Sequence, residues 1–185
     1  MLNEIVEDAK IGMEKSLNAL DVAFKKIRTG RATPSLLDSI KLDYYDKLTP
    51  LSQVASISIE DAKTLAIVPW EKGIVQQIEK TILESDLGLN PATSGDTIRV
   101  ILPDLTEETR KEFIKKAKAE SENAKVSIRN VRRDGNNQLK DFLKEKEISQ
   151  DEERQGEEQI QKLTDLFVEK VDTALEAKEK DLLDF

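Results

Sequence analysis

The spacing of hydrophobic residues changes along the chain and divides it into three segments. From Leu2 to Thr29, apolar residues recur at every third or fourth position, which predicts one amphipathic helix. The apolar face consists of Ile5, Ala9, Met13, Leu17, Leu20, Phe24 and Ile27. Gly30 follows at the position expected for a helix C-cap, and Pro34 prevents the helix from continuing.

The middle segment has the spacing of strands. Four stretches either alternate apolar with polar residues or form short apolar runs that end at a proline. These predicted strands cover residues 40–44, 55–59, 65–68 and 98–102. A spacing of four at Ile74, Ile78 and Ile82 predicts a short helix, and residues 87–91 are predicted to form a loop.

Three aromatic residues stand out in this segment, namely Tyr44, Tyr45 and Trp70. Exposed aromatic rings beside basic residues can stack on nucleic-acid bases. The interpretation favoured here is that these three rings belong to the core of the middle segment.

Helical spacing returns for the rest of the chain. Thr106 is a predicted N-cap, and Ser149 with Glu152 has the spacing of a capping box. The apolar stripe of the last helix is Ile160, Leu163, Phe167, Val171, Ala174, Leu182 and Phe185. We therefore predict an α+β protein. Residues 1–30 and 105–185 form a long three-helix bundle, and residues 31–104 form a small β/α/β domain inserted into it.

Two short chain crossings must join such an insert to the bundle. The first contains Gly30 and Arg31, and the second contains Pro103, Asp104 and Leu105. Glycine adds backbone freedom and proline restricts it, so these residues are predicted to form a hinge that allows swinging but not free tumbling.

Composition narrows the possible functions. The 185 residues include no Cys and no His, which removes disulfides, thiolate chemistry and the commonest metal ligand. No glycine-rich phosphate loop and no distinctive pair of carboxylates is present, so we expect no enzyme activity, no cofactor and no metal site. The N-terminus lacks a signal peptide and no stretch is apolar enough to span a membrane, which predicts a cytoplasmic protein.

The net charge of −8 contrasts with residues 125–133, which contain four cations and no acid. A basic stripe runs along the predicted helix that begins after Thr106. It consists of Lys111, Lys115, Lys118, Lys125, Arg129 and Arg132. A long stripe suits a nucleic-acid backbone better than a small anion, and arginine binds phosphate through two hydrogen bonds. The alternative is an ordinary face in which these cations pair with nearby glutamates.

Four motifs resemble those of ribosome recycling factors. They cover residues 26–38, 85–91, 105–108 and 128–134, in the family's order and over nearly the whole chain. The resemblance implies an L-shaped, tRNA-like outline for the bundle and its insert. It also implies a monomeric, non-catalytic factor that binds ribosomal RNA at the A and P sites of the large subunit. With elongation factor G and GTP, such a factor splits the post-termination ribosome into subunits.

Residue by residue, the family's principal RNA-contacting arginine matches Arg132, beside Arg129 and Arg133, and a further basic contact matches Arg110. Lys125 and Lys118 join the predicted interface through the basic stripe. The matching hinge residues are Gly30 and Arg31, and Pro103, Asp104 and Leu105. The sequence departs from the family pattern at a turn containing Asp46-Lys47, at Thr109 and at Gly135, which is expected to loosen its helix by about 1 kcal/mol.

Two other functional classes remain as alternatives. Long helices could present a protein-binding face, as in a coiled-coil adaptor or a holdase chaperone. Binding through phosphates should weaken steeply with salt, whereas chaperone binding should not. An enzyme is the third possibility, and no residue constellation supports it.

Overall fold

The computed structural model describes residues 1–184, which separate into two compact units. The helical unit comprises residues 1–27 and 111–184, and the insert unit comprises residues 28–110. Residues 28–30 and 105–110, which the sequence pattern assigns to the bundle, thus belong to the insert unit by their contacts. Phe185, the predicted end of the last apolar stripe, lies outside the described residues.

The predicted fold class, α+β with long helices, is confirmed. The helices are α1 (Leu2–Lys26), α2 (Val75–Glu84), α3 (Glu107–Lys144) and α4 (Gln150–Leu183). The strands are β1 (Lys41–Tyr44), β2 (Lys47–Pro50), β3 (Ala55–Asp61), β4 (Thr64–Pro69), β5 (Asn90–Ser94) and β6 (Thr97–Ile101). Short turns of 3-10 helix occupy Pro34–Leu37, Leu51–Gln53 and Lys72–Ile74.

The end of α1 differs from the prediction. The helix stops at Lys26, and its C-cap is Ile27 in extended backbone, not Gly30. The ammonium group of Lys178 on α4 donates a hydrogen bond to the Ile27 carbonyl oxygen at 3.0 Å. Because a lysine satisfies this carbonyl, the helix end needs no left-handed glycine. Burial lowers the pKa of Lys178, which is consistent with its position inside the bundle.

Polar and apolar contacts define how the three helices run. Ser16 on α1 hydrogen-bonds Ser127 on α3 at 2.7 Å, whereas Ile27 at the end of α1 meets Lys178 near the end of α4. Gly12 of α1 also faces Val131 of α3, and Leu2 of α1 faces Gly156 of α4, so α1 runs antiparallel to α3 and parallel to α4. The fully buried side chains along the seam are Met13, Ala117, Ile128, Leu139, Ile160, Phe167, Val171 and Leu182. Burying each large apolar side chain contributes roughly 1.5–3 kcal/mol.

Both predicted N-caps of the bundle are confirmed. Thr106 Oγ1 accepts a hydrogen bond from the Thr109 backbone N–H at 3.1 Å. Ser149 and Glu152 form a complete capping box at the start of α4. These caps fix where α3 and α4 begin.

One glycine in each long helix lets a neighbouring helix approach closely. A Cβ added at Gly12 would lie 3.0 Å from Val131 of α3, and one at Gly135 would lie 2.9 Å from Ile160 Cδ1 of α4. A Cβ at Gly156 would lie 2.7 Å from Leu2 Cδ1 and 2.9 Å from Leu139. The unusual glycine at position 135 therefore makes room for Ile160 in the seam.

The insert unit is built on a four-stranded antiparallel sheet in the order β3-β4-β6-β5, with β1 and β2 as a separate hairpin. Helix α2 contributes Val75, Ile78 and Ile82 to a core whose sheet residues include Leu65, Ile67, Ile98 and Val100. The four predicted strands correspond to β1, β3, β4 and β6. Gln77 of α2 donates a hydrogen bond to the Asp43 carbonyl and so ties the helix to β1.

Two strands were missed by the pattern analysis. The predicted loop at 87–91 is wrong at its end, because Asn90 and Pro91 begin β5. β5 is an edge strand with mostly exposed side chains, so it shows no hydrophobic alternation, and an edge tolerates proline. β2 likewise buries none of its four residues fully.

Two of the three aromatic residues depart from the favoured interpretation, whereas Tyr44 is partly buried and packs against the core of the insert unit. Tyr45 is 77% exposed and Trp70 is 67% exposed, so neither belongs to the core. Tyr45 and Asp46, not Asp46-Lys47, are the central residues of the β1–β2 turn, with φ of 51° and 61°. The Tyr44 hydroxyl donates to Glu71 at 2.6 Å, and this hydrogen bond raises the pKa of Tyr44 to about 12.

Replacing Gly135 with alanine tests whether this glycine is required by Ile160. Gly135→Ala should gain about 1 kcal/mol of helix propensity. In the wild type, the overlap with Ile160 Cδ1 should cancel that gain. In an Ile160→Val background, which lacks the Cδ1 atom, the gain should reappear in the free energy of unfolding measured with urea.

Gly73→Ala is the matched control, because nothing lies within 4 Å of a Cβ added there. Its effect should be the same in both backgrounds. Equal effects of Gly135→Ala in both backgrounds would show that the close approach at Gly135 does not limit packing.

Candidate nucleic-acid interface

Helix α3 carries the predicted basic residues on two different faces. Lys118, Lys125 and Arg132 are spaced by seven residues and face α4. Arg129 and Arg133 are exposed. The single stripe inferred from the sequence is therefore divided by the packing of the bundle.

The two lysines that face α4 already have acidic partners. Lys125 Nζ lies 2.6 Å from Asp172 Oδ1 and 3.7 Å from Glu122, and its side chain is only 15% exposed. Lys118 Nζ lies 3.6 Å from Glu179. An RNA contact by either lysine would have to compete with these carboxylates. The predicted roles of Lys118 and Lys125 in RNA binding stay predictions.

Arg132 is held differently. Its Nη1 donates to the amide oxygen of Gln161 at 3.4 Å, and Gln161 in turn donates to Asp165 at 2.9 Å. A neutral amide orients the guanidinium without neutralising it. Within the described part of the chain, no carboxylate lies within ion-pair distance of Arg132, so its charge is available to an anion.

An exposed face of α3 lies beside Arg132, and it comprises Val126, Arg129, Asn130 and Arg133. These positions are three or four residues apart and therefore share one side of the helix. Val126 is 50% exposed, which leaves an apolar contact between the polar groups. Two arginines, an amide and a methyl group on one surface can bind phosphate, base edges and sugar together.

Arg110 is not brought into this cluster. It lies near the start of α3, is half-buried and belongs by its contacts to the insert unit. Thr109, one of the departures noted in the sequence, packs back on Thr106 with a 2.7 Å contact between the two hydroxyl groups. Its polar group is therefore used to cap the helix.

The predicted hinge residues occupy contrasting environments. Gly30 and Leu105 are buried, whereas Arg31, Pro103 and Asp104 are exposed. Arg28 Nη2 donates to the Pro103 carbonyl at 2.6 Å, and Lys63 pairs with Asp104. The sequence pattern singled out neither Lys63 nor the α4 partners of the basic residues, because only folding brings these segments together.

Residues 1–184 contain no group of three acidic side chains placed to hold a metal ion. None of the helices within the same residues is long and apolar enough to cross a membrane.

Comparison with known proteins gives the family. The sequence pattern described as "Ribosome recycling factor" matches residues 20–183. The chain belongs to the ribosome recycling factor family. A ribosome-recycling factor from a Marinomonas species is 57% identical over 184 residues and 100% of both chains. Those from Alcanivorax borkumensis and Hahella chejuensis are 57% and 56% identical over 99% of each chain.

Solved structures of the family share the fold. The solution structure of a ribosome recycling factor matches with a TM-score of 0.80 and 35% identity, over 100% of this chain and 98% of that chain. A Thermus thermophilus factor, described together with Escherichia coli elongation factor G on the E. coli post-termination complex, matches with a TM-score of 0.69. That match has 40% identity over 99% of both chains.

For this family member, the two faces of α3 should respond differently to loss of charge. Lys125→Met keeps an unbranched stem but removes the partner of Asp172, and it should lower the free energy of unfolding by about 1 kcal/mol. The matched change Arg129→Met should alter it by less than about 0.5 kcal/mol. Urea unfolding measures both, and a cycle with Asp172→Ala isolates the pair. Equal effects of the two changes would show that the Lys125–Asp172 pair does not stabilise the bundle.

Proposed function

We propose that this protein recycles ribosomes after termination. It binds the post-termination ribosome and, with elongation factor G and GTP hydrolysis by that partner, splits the subunits and frees mRNA and tRNA. Membership of the family and the relative described on the post-termination complex support this proposal. The factor itself acts as a cytoplasmic monomer and makes or breaks no covalent bond.

The environment of Arg132 is the observation that carries the proposal. A guanidinium that is oriented by Gln161, but not paired with an acid, is prepared for a charge-assisted hydrogen bond to phosphate. Arg129 and Arg133 extend the contact on the exposed face. We propose that these three arginines bind ribosomal RNA of the large subunit in the region of the A and P sites. Lys118, Lys125 and Arg110 contribute at its margins.

The insert unit has a mechanical role in this proposal. While α3 stays bound to RNA, elongation factor G pushes the insert against the contacts that join the subunits. The residues between the two units absorb the motion, and Gly30, Arg31, Pro103, Asp104 and Leu105 form this hinge. Binding and splitting are then separable properties of different parts of the chain.

Replacing Arg132 tests the RNA contact. Arg132→Ala should weaken binding to ribosomes by roughly 1–3 kcal/mol, because a charge-assisted hydrogen bond is lost. Its thermal midpoint should stay close to that of the wild type, since the guanidinium contacts only one amide within the bundle. Sedimentation of ribosomes with labelled factor at several salt concentrations gives both the affinity and its salt dependence.

Arg154→Ala is the matched control, because Arg154 is an exposed arginine on the acidic helix α4. It should leave ribosome affinity unchanged. Arg132→Lys keeps the charge but loses the planar fork, so it should recover only part of the affinity. A chaperone or adaptor would instead show binding that depends little on Arg132 or on salt.

Restricting Gly30 tests the hinge. Gly30→Pro fixes φ near −65° and removes a backbone donor. Affinity for vacant ribosomes should persist within a few-fold, because the arginines of α3 are untouched, whereas splitting with elongation factor G and GTP should fall much more.

The affinity for vacant ribosomes and the splitting rate must be measured on the same preparation. Circular dichroism should confirm that the helices remain folded. Splitting at the wild-type rate at saturating factor would show that freedom at Gly30 is dispensable. Arg31→Ala changes the next residue without fixing the backbone and should split ribosomes normally.

A further inference from the structure

The turn between β3 and β4 is bonded to the residues of the insert unit that adjoin its two connections. We define the first connection as residues 28–31 and the second as residues 103–106. The Ala32 N–H donates to the Ala62 carbonyl at 2.8 Å, and the Leu102 N–H donates to the Lys63 carbonyl at 2.8 Å. Two successive residues of one turn therefore fix the points at which the two connections join the insert.

Side chains add a second set of contacts between the same segments. Lys63 in the turn pairs with Asp104 in the second connection. Arg28 in the first connection donates to the Pro103 carbonyl of the second at 2.6 Å. The two connections are thus held to one another and to the turn, although each is a separate stretch of chain.

The turn that carries Lys63 is itself ordered by a side chain. The Asp61 carboxylate accepts a hydrogen bond from the Lys63 backbone N–H at 2.9 Å. This hydrogen bond lowers the pKa of Asp61, because it favours the charged carboxylate. Lys63 therefore projects from a fixed backbone.

On the first connection, neighbouring residues are held by different units. The Ile27 carbonyl accepts a hydrogen bond from Lys178 within the helical unit, whereas Arg28 is bound to Pro103 within the insert unit. While Arg28 keeps that contact, residues 28–31 are held at both ends, because Ala32 is bound to the turn. Backbone rotation at Gly30 is then restricted and contributes little to movement of the insert unit.

We propose that Arg28 and Lys63 form a latch on the two connections, and that the insert unit swings widely only when this latch opens. The inference rests on the proposed function for the idea of a swinging insert. The latch adds a restraint that must be released before the insert unit can move. Opening the latch would release residues 28–31 and 103–106, while the backbone hydrogen bonds of Ala32 and Leu102 keep the insert folded.

The contacts of the latch are weak enough to open. The Lys63 and Asp104 side chains are 44% and 77% exposed, so water and salt compete with their pairing. Among residues 1–184, the buried Nε of Arg28 has no hydrogen-bond partner, and burial lowers the pKa of this guanidinium. Not every N–H group of Arg28 therefore has an acceptor in this position. If the guanidinium left the Pro103 carbonyl, water would solvate its charge again.

The test uses the isolated protein, so it does not depend on ribosome binding. The chain has no cysteine, and Ser94→Cys in the insert unit with Lys140→Cys on α3 gives two exposed spin-label sites. Double electron–electron resonance spectroscopy then gives the distribution of distances between the two spin labels. Lys63→Ala and Asp104→Ala should each broaden this distribution by roughly twofold, as expected when a second conformation becomes populated.

Three comparisons make the result specific. The double variant should be no broader than either single variant, because both remove the same pair. High salt should broaden the wild-type distribution but leave Lys63→Ala unchanged. Lys72→Ala is the matched control, since it breaks another exposed lysine–aspartate pair of the insert unit, to Asp96 at 3.3 Å.

Arg28→Leu should broaden the distribution as Lys63→Ala does, whereas Arg31→Leu on the same connection should not. An unchanged width in Lys63→Ala would overturn the latch. Equal broadening by Lys72→Ala would overturn it too, because any lost surface pair would then have the same effect. Neither result would bear on ribosome binding through Arg132, so failure of the latch is distinguishable from failure of the proposed function.

Discussion

The close approach of three long helices is the constraint on which the rest of the structure depends. With few bulky residues available, the bundle fills its seam by bringing the helices together at Gly12, Gly135 and Gly156. Each glycine receives side chains from a neighbouring helix, and the small Ala117 and Ser121 are fully or almost fully buried in the same seam. The position of α3 relative to α1 and α4 is fixed by this packing, and with it the direction of every basic side chain on α3.

That packing decides which cations are available. From Ser149 to Phe185 there are twelve acidic and five basic residues, so α4 supplies carboxylates to any lysine that faces it. Lys118 and Lys125 take such partners, whereas within residues 1–184 Arg132 has no acidic partner and donates to the amide of Gln161. The acidic helix therefore has two effects in the proposed interface. It neutralises part of the basic stripe, and it leaves positive charge concentrated on three arginines at one place, where it can attract phosphate.

In the proposed function, the helical unit supplies the RNA-binding surface and the insert unit supplies the motion. Its sheet buries one face under α2, and the edge strand β5 and the β1–β2 hairpin need little hydrophobic alternation to complete it. Two connections join it to the bundle, and the β3–β4 turn is bonded to Ala32 and Leu102, which adjoin them, and to Asp104. A factor that must bind RNA firmly and still transmit force benefits from this division. Tight helix packing holds the arginines, while weak, exposed contacts govern the proposed hinge.

The sequence by itself determined the long helices, their caps at Thr106 and Ser149, and the four strands with apolar alternation or short apolar runs, because these depend on local spacing and local hydrogen bonds. It could not determine the edge strand at Asn90, the exposure of Tyr45 and Trp70, or the end of α1 at Lys26. Those features depend on partners distant in the chain, such as β6, Glu71 and Lys178. The sequence pattern also placed six basic residues of α3 on one stripe, namely Lys111, Lys115, Lys118, Lys125, Arg129 and Arg132. Only the tertiary structure separated paired lysines from available arginines, because charge pairing is decided by the helix that lies opposite.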